Sequence, residues 1–182
     1  MTLDELALKY GTDKSSTAHN YCQFYERTLP KKPKKLLEIG VFKGASLAMW
    51  SEYFPDTEIW GVDLFADHSE ADVRSYLLDE CGCKNIVLRQ GNQCDYVLLD
   101  ALRNEDFDIV IDDGSHNSRD QMMTFYGLYN GRHYYIEDLH TCDQEFYRAG
   151  LPVNVSAKRL GWPFTNVFYD CQSPIVLIQS ER

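Results

Sequence analysis

Lys35-Leu36-Leu37-Glu38-Ile39-Gly40-Val41-Phe42-Lys43-Gly44-Ala45-Ser46-Leu47-Ala48-Met49-Trp50 is the stretch whose reading decides the fold. A short apolar run ends at a glycine, a second glycine follows four residues later, and a run of helix formers comes next. The order reads as strand, tight turn and helix. Gly40 lets the backbone turn sharply, and Gly44 lets the helix start and a ligand come close together.

Working outward, the same unit repeats. A strand from Glu58 to Val62 ends at Asp63, and a helix from about Ala71 to Asp79 follows. A strand from Asn85 to Arg89 runs into Gln90-Gly91-Asn92-Gln93, and a helix covers Tyr96 to Arg103. The strand Asp108 to Ile111 ends in Asp112-Asp113-Gly114-Ser115-His116. After a helix from Ser118 to Leu128, the strand Tyr134 to Ile136 ends in Glu137-Asp138. Strands alternating with helices imply parallel βαβ units and a Rossmann-like, doubly wound α/β sheet. Asn166 to Tyr169 and Ile175 to Ile178 are also strand-like, but only Asp170 to Pro174 separates them. So short a link predicts an antiparallel hairpin. That hairpin favours the class I methyltransferase form of the architecture over the dehydrogenase form.

Before the first strand, Leu3, Leu6, Ala7 and Tyr10 fall at helix spacing, with Gly11 as the stop. A second helix is expected from about Thr17 to Thr28, closed by Pro30 and Pro33. Residues 1–34 are thus expected to form a helical cap on a domain spanning 35–182.

Composition narrows the partners. The chain has 182 residues and a formal net charge of −10, which suits one acidic domain and argues against a nucleic-acid substrate. The basic run Lys31, Lys32, Lys34, Lys35 reads as a solvated linker. No apolar run approaches a membrane span, and the N-terminus lacks the pattern of a secretory signal, so a cytoplasmic location with reduced thiols is expected. Cys81 and Cys83 form an isolated C-x-C without the partner pair of a zinc site.

Open α/β sheets bind ligands at the carboxyl ends of their strands, where strand order reverses. The first such end reads Glu38-x-Gly40-x-x-x-Gly44-x-Ser46. It lacks the second glycine of the dinucleotide fingerprint, which disfavours a pyrophosphate cofactor such as NAD and is compatible with S-adenosylmethionine. Asp63 is placed to accept bonds from both hydroxyls of a ribose. Asn92 and Gln93 stand where an adenine would rest. Two acid clusters, Asp112-Asp113 and Glu137-Asp138, close strands expected to be neighbours. Unpaired carboxylates there would raise one another's pKa, and a hard cation such as Mg²⁺, Mn²⁺ or Ca²⁺ resolves the repulsion. Asp112 is assigned to the cofactor side. His116, three residues after Asp113, suits a general base near neutral pH. For His140 the roles of supporting partner, base and bystander stay open.

The segment Lys9-Tyr10-Gly11-Thr12-Asp13-Lys14-Ser15-Ser16 with His19, Tyr21 and Tyr25, then Glu38-Ile39-Gly40-Val41, then Asp112-Asp113-Gly114-Ser115-His116, resembles the metal-dependent sugar O-methyltransferases of macrolide tailoring and the related cephalosporin hydroxylase-like proteins. The resemblance covers most of the chain to about residue 140. It implies S-adenosylmethionine and Mg²⁺ as cofactors and a sugar hydroxyl, or a glycosylated small molecule, as acceptor. It implies Asp113, Glu137 and Asp138 as metal ligands and His116 as base. It also implies a loop carrying Thr12 and Lys14 that folds over the cofactor. Catechol O-methyltransferases are similar in outline, which keeps a phenolic acceptor open, as a homo-oligomer is. The rival classes are a non-haem iron oxygenase using His116, His140 and a carboxylate, an NAD-dependent oxidoreductase, and a binding module that has kept the fold without the chemistry.

Overall fold

The structure is a computed structural model that describes residues 1–139, 165–168 and 175–179. Its elements are α1 (Leu3–Tyr10), α2 (Cys22–Thr28), β1 (Lys35–Ile39), α3 (Ala45–Tyr53), β2 (Glu58–Asp63), α4 (Glu70–Ser75), β3 (Ile86–Gln90), α5 (Tyr96–Arg103), β4 (Ile109–Asp112), α6 (Ser118–Leu128), β5 (His133–Ile136), β6 (Thr165–Phe168) and β7 (Ile175–Ile178). The described strands form one sheet in the order β3-β2-β1-β4-β5-β7-β6. The first five are mutually parallel, and β7 runs antiparallel to both β5 and β6. The expected doubly wound sheet with its C-terminal hairpin is therefore present, and it is the class I methyltransferase fold. Strand order reverses between β1 and β4.

The strands are apolar without alternation because both sheet faces are covered. Successive residues point to opposite faces. Leu36 packs toward α1, α2 and α3 with Ile59, Ile111 and Trp50, while Leu37 packs toward α5 and α6 with Val110, Leu99 and Phe125. Both leucines are fully buried, and each such burial contributes about 1.5–3 kcal/mol. Leu3, Leu6, Phe24 and Tyr25 lie in the same cluster as Leu36, so the N-terminal helices share the sheet's core.

Local chemistry sets the helix ends. Thr2 and Glu5 form a reciprocal capping box at α1, and Gly11 ends it with φ 72°. The expected helix from Thr17 begins only at Cys22. Residues 12–20 instead form turns, with Asn20 at φ 60°. The Lys14 carbonyl accepts bonds from the amides of both Tyr21 (3.0 Å) and Cys22 (3.2 Å). A helix through 17–21 would withdraw Lys14 from the place it occupies. The helix expected to Asp79 is α4 continued by a π-helical turn, Tyr76–Glu80.

The two glycines of the first turn serve packing. Gly40 has φ +89°, and a Cβ there would lie 2.0 Å from the Asp113 carbonyl oxygen. Gly44 also has φ +89°, and its Cβ would press on Val73 and Leu77 of the helix that follows β2. The close approach at Gly44 is thus to protein.

Asp112, at the tip of β4, is wholly buried. It accepts bonds from Gln93 Nε2 (3.4 Å) and the Tyr134 hydroxyl (3.3 Å). Burial pushes its pKa up to about 7, although the Gly114 amide and Tyr134 work the other way. The folded chain therefore holds this proton more tightly than the unfolded chain. Stability falls as pH rises from the ordinary aspartate range toward 7, by at most about 1.4 kcal/mol per pH unit for this one group.

Gly40→Ala should cost more than about 2 kcal/mol in urea unfolding, since strain and backbone overlap add; a loss under about 0.5 kcal/mol would contradict the geometry. Asp112→Asn should narrow the difference between urea midpoints at about pH 5 and about pH 8. An undiminished difference would mean that Asp112 is not held protonated.

Candidate active site

The strand tips at the β1–β4 reversal open on a cavity of about 710 Å³. Its wall includes the turn Gly40–Lys43, Asp63, Asn92, Gln93, Asp113 and His116, together with Thr12 and Asp138. Sheet topology brings all of these but Thr12 together, because they lie at the ends of β1, β2, β3, β4 and β5 in turn; Thr12 comes from the turns before α2.

On the β2 side, Asp63 ties loops together. One of its oxygens accepts from the amides of Val41 (2.7 Å) and Phe42 (3.1 Å), and the other accepts from Phe65 (2.7 Å). It reaches the cavity while organising the glycine turn. Gln93 bridges Asp112 and the Thr124 hydroxyl (3.1 Å), and its oxygen accepts from the Ser115 amide (2.8 Å). It thus joins the β3 loop to the β4 loop. Asn92 is exposed and accepts from the Cys94 amide (2.8 Å).

Four carboxylates gather at the tips of β1, β4 and β5. Glu38, Asp112 and Glu137 are sealed from solvent, and Asp113 is part-buried. Lys14, whose side chain is completely buried, reaches three of them. Its Nζ lies 2.6 Å from Asp113 Oδ2, 2.7 Å from Glu137 Oε2 and 3.3 Å from Glu38 Oε1. The Tyr25 hydroxyl donates to the other Glu137 oxygen, and Ser46 Oγ donates to Glu38 at 2.7 Å. Burial opposes the lysine's charge, but Asp113, Glu137 and Glu38 outweigh it and hold its pKa well above the ordinary value. Burial raises the pKa of each of the three acids, with Asp113 adding to the rise at Glu137. One ammonium cannot balance three ionised carboxylates in a dry site. The cluster therefore carries protons or calls for a further cation.

Asp138 faces the other way, into the cavity. The Tyr21 hydroxyl donates to it at 2.9 Å. Two imidazoles flank it, His19 Nδ1 at 3.8 Å from one oxygen and His116 Nε2 at 3.8 Å from the other. His19 stacks on Tyr21 at 5.3 Å. His116 and Asp138 both hold left-handed backbone, φ 54° and 53°, which costs about 1–3 kcal/mol each and is typical of functional sites. Asp113, His116 and Asp138 each offer a donor atom within 4.8 Å of the others, the one metal-ligand grouping among the described residues.

Several expectations shift on this geometry. Glu38 and Asp112, assigned to a cofactor, lie beneath the cavity floor with protein partners on their oxygens. Lys14, assigned likewise, belongs to the wall, yet its ammonium is enclosed by acids. Glu137, placed by the resemblance with Asp113 and Asp138, has its oxygens engaged by Lys14 and Tyr25, and His116 takes its place in the grouping. Ser46 lines the cavity but spends its hydroxyl on Glu38. His140 lies outside the described residues, and the two-histidine iron face that includes it lies outside them too. Cys81 and Cys83 are free thiols. The sequence reading named Tyr21 and Tyr25 in the resembling segment without giving them a role, and missed them as partners of the acids. The signal was available: a buried tyrosine, unlike phenylalanine, needs a partner for its hydroxyl.

No family model matches the sequence. Among curated proteins, the chain is 36% identical over 155 residues to 8-demethyl-8-(2-methoxy-alpha-L-rhamnosyl)-tetracenomycin-C 3'-O-methyltransferase of Streptomyces olivaceus, covering 76% of this chain and 37% of the relative. It is also 36% identical over 155 residues to mycinamicin VI 2''-O-methyltransferase of Micromonospora griseorubida, covering 76% of this chain and 36% of that one. The chain thus spans little more than a third of the length of the curated relatives it matches. Among solved structures, MycE methyltransferase from the mycinamycin biosynthetic pathway, in complex with Mg, SAH and mycinamycin VI, superposes with TM-score 0.58 at 27% identity, over 99% of this chain and 48% of that one. The SAH-bound Podospora anserina methyltransferase PaMTH1 superposes with TM-score 0.64 at 20% identity, over the whole of this chain and 88% of that one, a likeness of fold. The chain has the class I methyltransferase fold and, over three quarters of its length, is homologous to sugar O-methyltransferases of the tetracenomycin, mycinamicin and macrocin type.

Proposed function

We propose that this chain transfers a methyl group from S-adenosylmethionine to a hydroxyl of a sugar carried on a small molecule, with the help of a divalent cation, Mg²⁺ before Mn²⁺ or Ca²⁺. The observation that carries the proposal is the pairing of Asp113 with Asp138 beside His116, at the mouth of the cavity that opens on the first glycine turn.

The residues present fit both groups. Six aspartates and two lysines line the cavity, which suits a cationic sulfonium nucleoside and repels a pyrophosphate. The Asp63 carboxylate, the Gly40–Lys43 turn and Asn92 would hold the nucleoside. Carboxylate oxygens from Asp113 and Asp138 are the hard donors Mg²⁺ prefers. Bound, the ion supplies Lewis-acid stabilisation of the acceptor oxygen, and the sulfonium supplies an electrophilic methyl group.

The chain's own part is to place groups. His116, about one-third exposed, takes the acceptor hydroxyl proton, a contribution of about 10²–10⁴ in rate. Asp138 steadies the imidazole that gains the proton, since it faces Nε2 at 3.8 Å. Tyr21 and the Lys14 network keep the acids from swinging into solvent. Alignment of acceptor oxygen and methyl group supplies about 7–11 kcal/mol more. The relatives named for rhamnosyl and mycinamicin acceptors support a deoxysugar on a polyketide.

The protein incubated with S-adenosylmethionine, Mg²⁺ and a rhamnosylated polyketide should add one methyl group to the sugar, and a chelator should stop it. Asp113→Asn should reduce turnover at least about a hundredfold while cofactor binding, measured calorimetrically, persists. Full activity in chelator, or in Asp113→Asn, would refute the metal assignment. His116→Ala should lower kcat by about 10²–10⁴ with little change in acceptor affinity; an unaltered kcat would remove it as base.

A further inference from the structure

Two side chains of the N-terminal segment, Tyr21 and His19, converge on Asp138 just beyond the end of β5. Tyr21 meets it twice, across 117 residues of chain. Its hydroxyl donates to Asp138 Oδ1 at 2.9 Å and accepts from the Asp138 backbone amide at 3.3 Å. One phenol oxygen thus ties the carboxylate to its own backbone. That backbone is left-handed, with φ 53°, a costly conformation for an aspartate. A clamp that satisfies amide and carboxylate together offsets part of the cost.

The clamp is firm because the Tyr21 ring is packed in the core beside α1 and β1 residues. His19 stacks on that ring at 5.3 Å with the planes 16° apart. Its Nδ1 is buried, lacks a hydrogen-bond partner among the described residues, and faces the same Oδ1 at 3.8 Å. The second oxygen, Oδ2, faces His116 Nε2 at 3.8 Å. The two oxygens of one carboxylate are therefore sorted: Oδ1 toward the N-terminal segment, Oδ2 toward the space shared with His116 and Asp113.

Building on the metal reading above, we propose that Tyr21 is a positioning residue for the divalent ion, acting through Asp138. The phenol holds Oδ1 and so presents Oδ2 to the ion. A ligating carboxylate already fixed by a hydrogen bond binds an ion more tightly, because binding then has less to order. His19 steadies the phenol by stacking on it. Without the hydroxyl, the strained residue relaxes and Asp138 no longer meets the ion together with Asp113.

The test uses Mn²⁺ alone, with binding read by electron paramagnetic resonance, on the wild type, Y21F and Y134F. Y21F removes one oxygen and keeps the ring. It should bind Mn²⁺ about tenfold to a hundredfold more weakly, with S-adenosylmethionine affinity unchanged. Y134F is the control, because Tyr134 is equally buried and its hydroxyl serves Asp112, which lies outside the metal-ligand grouping. It should bind Mn²⁺ as the wild type does. A lower urea midpoint in Y21F with wild-type Mn²⁺ affinity marks a merely structural role and overturns the proposal, as does an equal loss of affinity in Y134F. Failure of the wild type to bind Mn²⁺ would instead remove the metal reading, and this inference with it. Should Y21F not fold, the wild type with tyrosine carbon-labelled at Cζ decides: the Tyr21 signal should shift in step with Mg²⁺ saturation while the Tyr134 signal stays in place. A Tyr21 signal indifferent to Mg²⁺ overturns the proposal.

Discussion

One lysine buried among carboxylates is the constraint from which the rest of the site follows. Charges sealed from water are tolerated only when paired and hydrogen-bonded. Lys14 meets Asp113, Glu137 and Glu38 together, and Tyr25 and Ser46 donate to the second oxygens of Glu137 and Glu38. The neighbouring buried acid, Asp112, has no lysine and is served by Gln93 and Tyr134. The turns of residues 12–20 exist to bring the lysine down to the strand tips, and α2 starts late for that reason. An N-terminal segment and the ends of β1, β3, β4 and β5 are thereby joined into one unit.

The frame that holds this unit is ordinary. Two hydrophobic layers press on the sheet from either side, and parallel registry brings Ile39 level with Asp112 and Asp112 level with Ile136. Acids that begin one residue beyond those positions must then crowd together. Gly40 lets the loop after β4 lie against β1 without overlap. The left-handed backbone at His116 and Asp138 turns both side chains toward the cavity. What the core contributes in stability, the tips partly give back as strain and desolvation.

The fold was readable because its signals are periodic. Apolar runs with glycine or acid at their ends marked every parallel strand to within a residue or two, and the five-residue link before Ile175 revealed the hairpin. The site was readable in part. Acids at the ends of neighbouring strands announced a cluster, but not which of them would turn inward. Glu137 and Asp138 are adjacent in sequence and point to opposite environments, a difference set by the φ of 53° at Asp138 and by a lysine more than a hundred residues away. Ser46 and Gln93 looked like ligand contacts because they sit where ligands bind; the structure uses them to satisfy buried acids. Lys14 could be placed near the site by resemblance, but its partner could not be named from spacing.

The central claim is that Asp113 and Asp138 hold one divalent ion beside His116. An anomalous difference map from crystals soaked in Mn²⁺ with S-adenosylhomocysteine addresses it most directly. The expected result is a single strong peak within about 2.0–2.3 Å of oxygens from both aspartates. A map with no peak there, while the nucleoside is bound in the cavity, would contradict it.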